Sequence, residues 1–216
     1  MEQGFAFEKI TPKVTLESLK KETKVLDSEG NLVLMHNRSN SDFENFELGK
    51  RNLSAKSGSN QFGYFFSNRN DLDHYGSFIK SRYLNIKNPW DIRDLGHFTE
   101  YKNFRAKLSE LGIDDKDLAG FDLQFQDLNI ARNKRLGSYD GLHTPGTPHS
   151  QSMKDTRMAT FNFFDAGNGN YLRKLLQDKG LDGVLFADEG DLTAIAFDSK
   201  QIIDPKEIET DSHASV

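Results

Sequence analysis

Residues 32–39, Leu-Val-Leu-Met-His-Asn-Arg-Ser, carry the most information in this chain. Four apolar residues in succession run into a histidine, and an Asp-Ser-Glu-Gly turn (27–30) precedes them. A short, nearly continuous apolar run bounded by turn residues reads as a strand covered on both faces, here Asn31 to His36. A second run, Gly63-Tyr64-Phe65-Phe66-Ser67, has the same character and predicts a strand over Phe62 to Phe66. Between them lies a segment rich in Ser, Asn and Gly, interrupted by Phe43 and Phe46, which are expected to pin it to the core.

Working outward, Thr15 is placed to cap a short helix over Thr15 to Lys21. Ser67-Asn68-Arg69-Asn70 reads as a helix start leading into Leu72 to Phe78. Alternation over Lys80 to Ile86 predicts a third strand, ended by Asn88-Pro89. Phe98, Tyr101, Phe104, Leu108 and Leu111 recur at three and four residues and predict an amphipathic helix, with Gly112 at its C-terminal end. Leu118 to Ile130 has apolar residues at mixed spacing. Gly137 to Arg157, with Gly141, Pro145, Gly146 and Pro148, reads as an exposed loop. A helix over Asn170 to Lys179 and strands over Gly183 to Ala187 and Leu192 to Phe197 complete the pattern. Strands at both ends with helices between predict an α+β fold. The organisation expected is an N-terminal extension (1–24), one domain (25–204) with a mostly helical insertion at about 91–164, and a flexible polar tail (205–216).

Composition narrows the function. The 216 residues are 36% hydrophobic and 28% charged, which excludes a membrane-embedded or wholly disordered chain. Seventeen phenylalanines supply a packed core and flat faces for planar ligands. Net charge is −5, and the densest basic group, Arg132, Lys134 and Arg135, is too small for a nucleic-acid groove. No cysteine is present, so thiol catalysis, disulfides and Cys-based zinc sites are excluded. Without a signal-peptide pattern or a bilayer-length apolar run, a cytoplasmic protein is expected, with no membrane partner. His143 and His149 sit in the Gly/Pro loop with no evident third ligand, so no metal site is expected. Gly167-Asn168-Gly169-Asn170 lacks the rest of a phosphate-binding pattern and reads as helix-capping residues.

His36-Asn37-Arg38-Ser39, Gly63-Tyr64-Phe65-Phe66-Ser67 and Tyr75, in that order, resemble the NAD-binding cleft of the ADP-ribosyltransferase superfamily. Three further phrases are similar to the ADP-ribosyltransferase-like domains of phage and mobile-element polyvalent proteins: Tyr83 to Pro89, Gly180-Leu181-Asp182-Gly183-Val184, and Phe197 to Ile202. The resemblance covers Leu32 to Pro89 and Leu175 to Ile203. It implies a split antiparallel β-sheet core and NAD as substrate. It further implies transfer of a single ADP-ribose to a macromolecule, with release of nicotinamide. A protein acceptor is expected ahead of a nucleic acid. By resemblance, His36 bonds the adenosine ribose. Backbone groups of Asn37, Arg38 and Ser39, helped by Ser67, hold the nicotinamide carboxamide. Tyr75 and Phe65 sandwich the nicotinamide ring, with Gly63 and Tyr64 in the supporting strand.

The chemistry asks for such residues. Breaking the nicotinamide–ribose bond leaves an oxocarbenium-like sugar, as in glycoside hydrolysis. The leaving group is already cationic, so holding the bent dinucleotide rigid matters more than a strong acid. The family's late glutamate, which bonds the nicotinamide-ribose 2′-hydroxyl, aligns with Thr193. Glu189 and Asp191 are the nearest carboxylates and the catalytic candidates beside His36 and Tyr75. Read blandly, 188–191 is a solvated turn and His36 a structural strand-end histidine. The alternatives to transfer are a catalytically silent binding module that keeps the cleft, or an NAD glycohydrolase.

Overall fold

The computed structural model describes residues 14–48, 61–71, 76–136 and 155–209, with the backbone alone for 131–136 and 168. Its core is a seven-stranded, mostly antiparallel sheet. In spatial order the strands are β10 (Ile202–Ile203), β4 (Phe78–Leu84), β2 (Met35–Ser39), β3 (Tyr64–Ser67), β9 (Asp191–Ala196), β8 (Gly183–Asp188) and β5 (Pro89–Asp91). β5 joins β8 in parallel. Helices α1 (Leu16–Glu22), α2 (Tyr101–Glu110), α3 (Asp115–Leu136) and α4 (Asn170–Asp178) make the fold mixed α+β. Two small sheets flank the main one. One pairs β1 (Val14–Thr15) with β11 (Ile208–Glu209), the other β6 (Phe98–Glu100) with β7 (Arg157–Ala159).

The sheet separates two apolar cores. Side chains alternate across a strand, so Met35, Tyr64, Phe66, Leu185, Ala194 and Ala196 bury one face. Phe46 seals this side against Tyr64 and Phe66, at ring centroid distances of 5.7 and 5.4 Å, as its place in a polar loop led one to expect. Phe62, Val184, Phe186 and Ile195 bury the other face under α2, α3 and the 3₁₀ segment Thr160–Gly169. Tyr101 stacks on Phe125 at 3.9 Å and Phe104 on Phe163 at 4.6 Å. The stretch 91–164 is therefore helical in its described middle and carries β6 and β7 at its ends. Its described residues pack on the face of the sheet that carries Val184, Phe186 and Ile195.

Several sequence expectations shift. The strand expected over Asn31 to His36 begins at Met35 and alternates buried with half-buried residues. Leu32 makes an isolated bridge with Leu26, and Leu34 is 37% exposed. The apolar run overshot because hydrophobicity alone does not fix where pairing begins. The helix expected over Leu72 to Phe78 is not reached at its C-terminal end, because Gly76 turns the chain and Phe78 opens β4. Residues 72–75, Tyr75 among them, lie outside the described residues. Phe98 belongs to β6, so α2 starts at Tyr101, and Leu118 to Ile130 lies within α3. Arg157, expected in the loop, opens β7.

Helix α1 is capped by Thr15 as read, and Ser18 closes the capping box. It does not stand apart as an extension: Leu19 is 1% exposed and the Thr23 hydroxyl donates to the Leu84 carbonyl at 2.6 Å. The expected polar tail is likewise structured through 209, in a 3₁₀ turn (Pro205–Glu207) and β11. The phrases Tyr83 to Pro89, Gly180 to Val184 and Phe197 to Ile202 meet at one knot. Asp182 accepts from the backbone N–H of Lys87 and Asn88, both at 2.9 Å. Gln201 donates to the Asp182 carbonyl and accepts from the Phe197 and Asp198 amides. A hollow of about 500 Å³ beside this knot is lined by Lys87, Asp182 and Lys200. Among the described residues no helix is long and apolar enough to cross a membrane.

Candidate functional site

The sheet is pinched between β2 and β3. Strand β2 registers five residues with β4, and β3 registers four with β9, but β2 and β3 share one registered pair, His36 opposite Ser67. Past that pair the strands part, and the buried Asn37 side chain reaches across to donate to the Phe65 carbonyl at 2.6 Å. A side-chain bond thus stands where a ladder bond would otherwise be.

The pairing lines up one row across five strands: Ser81, His36, Ser67, Thr193 and Phe186. Directly opposed residues share a face. His36, Ser67 and Thr193 therefore converge on the face that carries the aromatic core, within about 10 Å, two interstrand spacings. Phe65 shares that face, half-buried, with its ring edge-on to Phe164 at 6.1 Å. The His36 Nδ1 is 2.9 Å from the Ser81 hydroxyl, which leaves Nε2 for a ligand. Burial, and then the Arg38 charge, hold the His36 imidazole below its usual pKa, so it is neutral at neutral pH. The Ser67 hydroxyl accepts from the Arg69 amide at 3.1 Å and keeps its own hydrogen to donate.

Other sequence candidates fall elsewhere. Tyr64 lies on the opposite face, 4% exposed, its hydroxyl donating to the Phe46 carbonyl at 3.1 Å. The Asn37 and Ser39 side chains share that face and are buried. Gly63 is needed for packing: a Cβ there would lie 2.5 Å from Ile195 Cγ2 and 2.7 Å from the Ala196 carbonyl oxygen. Arg38 shares the face of His36 and donates to the carbonyls of Gly76 (3.0 Å) and Asn70, so it bridges the described residues that follow β3 and precede β4.

The two carboxylate candidates sit at the end of the β8–β9 hairpin. Glu189 and Gly190 both have positive φ, 53° and 92°, as a two-residue turn matched to sheet twist requires. Asp191 is two residues from Thr193 and shares its face, about 7 Å along the strand. Neither carboxylate faces the row unpaired. Arg69 is 2.9 Å from Asp71, 3.2 Å from Glu189 and 3.5 Å from Asp191. The Asp71 bond above all, with the other two carboxylates, raises the Arg69 pKa further and keeps it cationic. Glu189 is 62% exposed at the turn, against 34% for Asp191. The 188–191 segment is thus a tight turn whose Glu189 and Asp191 are gathered by one arginine, and Asp191 is the one that shares the face of the row.

The sequence reading missed a pair at the same hairpin. His97 Nδ1 is hydrogen-bonded to Asp188 Oδ1, and each side chain is about three-quarters buried. Asp188 opposes Asp191 and so shares its face. The two residues are 91 positions apart, and no local pattern marks them. Among the described residues no three His, Asp or Glu side chains could hold a metal together. His143 and His149 lie outside those residues.

The chain matches no protein-family model, no curated protein and no solved structure.

Proposed function

We propose that this chain transfers ADP-ribose from NAD to a protein acceptor and releases nicotinamide. The observation that carries the reading is the row of His36, Ser67 and Thr193 at the pinched seam of the sheet. Three segments far apart in sequence bring to one face the residue types that hold a dinucleotide: a neutral imidazole, a hydroxyl and a flanking aromatic. The finer architecture proposed is a split sheet, with β10, β4 and β2 on one side of the seam and β3, β9, β8 and β5 on the other.

In this reading the His36 Nε2 bonds the adenosine ribose. The β2 backbone beyond it and Ser67 hold the carboxamide. Phe65 and Tyr75 enclose the nicotinamide ring, which flat aromatic faces do at small entropic cost. Asp191 turns from Arg69 to the nicotinamide-ribose 2′-hydroxyl when the dinucleotide enters, because Thr193, 6% exposed, carries no charge to stabilise the developing cation. Labelled NAD should mark a protein in a host lysate, and His36→Ala and Tyr75→Ala should each abolish the mark. Label that survives both changes refutes the assignment. Thr193 in the row and the hold of Arg69 on the nearby acids favour a second reading, a silent module that keeps the cleft for a nucleotide or partner. Such a module binds ligand without releasing nicotinamide.

A further inference from the structure

The His97–Asp188 pair belongs to none of the roles assigned above. His97 lies in the link from the 3₁₀ turn Arg93–Leu95 to β6. That link is already anchored by its backbone: the Thr160 amide donates to the His97 carbonyl at 2.8 Å, and the Thr160 hydroxyl to the Gly96 carbonyl at 2.6 Å. The imidazole is therefore not needed to hold the loop. Asp188 ends β8 on the face of the row, opposite Asp191. An ionised carboxylate only accepts hydrogen bonds, so its bond to Nδ1 sets the tautomer with the proton on Nδ1. Nε2 then carries a lone pair, and among the described residues it has no hydrogen-bond partner. An imidazole oriented by a part-buried acid, with its second nitrogen not hydrogen-bonded, is the arrangement of a general base.

We propose that His97 removes the proton from the hydroxyl of a serine or threonine of the acceptor protein, with Asp188 as the positioning residue. This rests on the NAD-dependent reading of the seam. Asp188 lies two residues along β8 from Phe186 of the row and opposes Asp191, the carboxylate assigned above to the nicotinamide ribose, so the acceptor would approach beside that sugar. The hydroxyl oxygen bonds to C1 of the nicotinamide ribose as the bond from C1 to the nicotinamide nitrogen breaks. The electron pair of that bond leaves with nicotinamide, which departs neutral. The hydroxyl proton passes to His97 Nε2, the imidazolium is held by Asp188, and the proton then goes to solvent. A carboxylate acceptor would need no base, so the pair selects an acceptor that must lose a proton. Thirty-three acidic residues against 28 basic ones disfavour a phosphodiester acceptor and favour a protein.

The test uses the full chain and its His97→Ala and Asp188→Asn variants. NAD binding is followed by calorimetry and label transfer to protein is followed with and without added imidazole. NAD affinity should stay within about twofold in both variants, while transfer falls about a hundredfold in His97→Ala. Imidazole should restore part of the loss in His97→Ala but not in Asp188→Asn, whose kcat falls at unchanged KM and unchanged melting temperature. The label should resist neutral hydroxylamine, as a bond to a hydroxyl oxygen does and an ester does not. Transfer at the parent rate in His97→Ala, loss that imidazole does not relieve, hydroxylamine-labile label, or nicotinamide release with no protein labelled would each overturn the assignment. If the parent chain itself fails to bind NAD, the failure lies with the seam.

Discussion

The β8–β9 hairpin and the β2–β3 seam are neighbours in one sheet and are built in opposite ways. The hairpin registers six consecutive pairs, and its inner strands are almost fully buried, from Val184 to Phe186 and from Ala194 to Ala196. The seam registers one pair, and on the face of the row its residues His36, Arg38, Phe65 and Ser67 are half-buried, three of the four polar. Continuous pairing under an aromatic layer supplies stability. At the break the Asn37 side chain replaces a ladder bond, and His36 and Ser67 face one another across it. The contrast teaches that the covered half holds the fold and the seam is free to carry chemistry.

The comparison breaks first if the covered half proves dispensable. Phe104 is fully buried against Trp90, Phe121 and Phe163. Phe104→Ala should cost about 3–5 kcal/mol in urea unfolding, with NAD affinity unchanged per folded molecule. A milder loss would show the covered half to be dispensable, and a loss of NAD binding in the folded variant would show the halves to be coupled. Next comes the choice between two acids. Asp191→Asn should lower transfer about a hundredfold, and Glu189→Gln less than about threefold, in initial-rate assays. The reverse order would move the catalytic carboxylate to the turn. Gly76 lies on the seam side with φ 132°, and a Cβ there would sit 2.2 Å from the Ser39 carbonyl. Gly76→Ala should destabilise by about 2 kcal/mol and loosen the Arg38 clamp, read as faster amide exchange across β2 and β4.

The smallest effect is pH-dependent. The pKa of His36 is lowered in the folded chain by burial and by Arg38. The unfolded chain therefore binds the proton more readily, and stability rises with pH across the window between the two pKa values. The contribution is complete above about pH 6.5, the unfolded value, and is lost as pH falls through the lowered folded value. His36→Gln should flatten the fall in melting temperature between pH 7 and 5 slightly, by comparison with the parent chain.

Much of this architecture could be read from the chain. The Thr15 cap, the helix beginning near Asn170, the strands at Gly183 and Leu192 and the pinning by Phe46 follow from local pattern. What the pattern missed has a common cause. Leu32, Val33 and Leu34 are as apolar as a strand but pair with almost nothing, because pairing depends on the partner strand. Tyr64 and Phe65 are adjacent aromatics, and only register decides that Phe65 faces the row. Three of the phrases that carried the family resemblance lie at the Asp182–Gln201 knot, where their hydrogen bonds account for them structurally. His97 and Asp188 meet across 91 residues, and Arg69 meets Glu189 across 120, separations at which a sequence gives no local signal.

The central claim is that the seam is a dinucleotide cleft, and titration of NAD into the folded chain by calorimetry tests it most directly. Saturable one-to-one binding is expected, weakened about tenfold by His36→Ala through the loss of one ribose hydrogen bond. No heat of binding at millimolar NAD from a chain shown to be folded would contradict it.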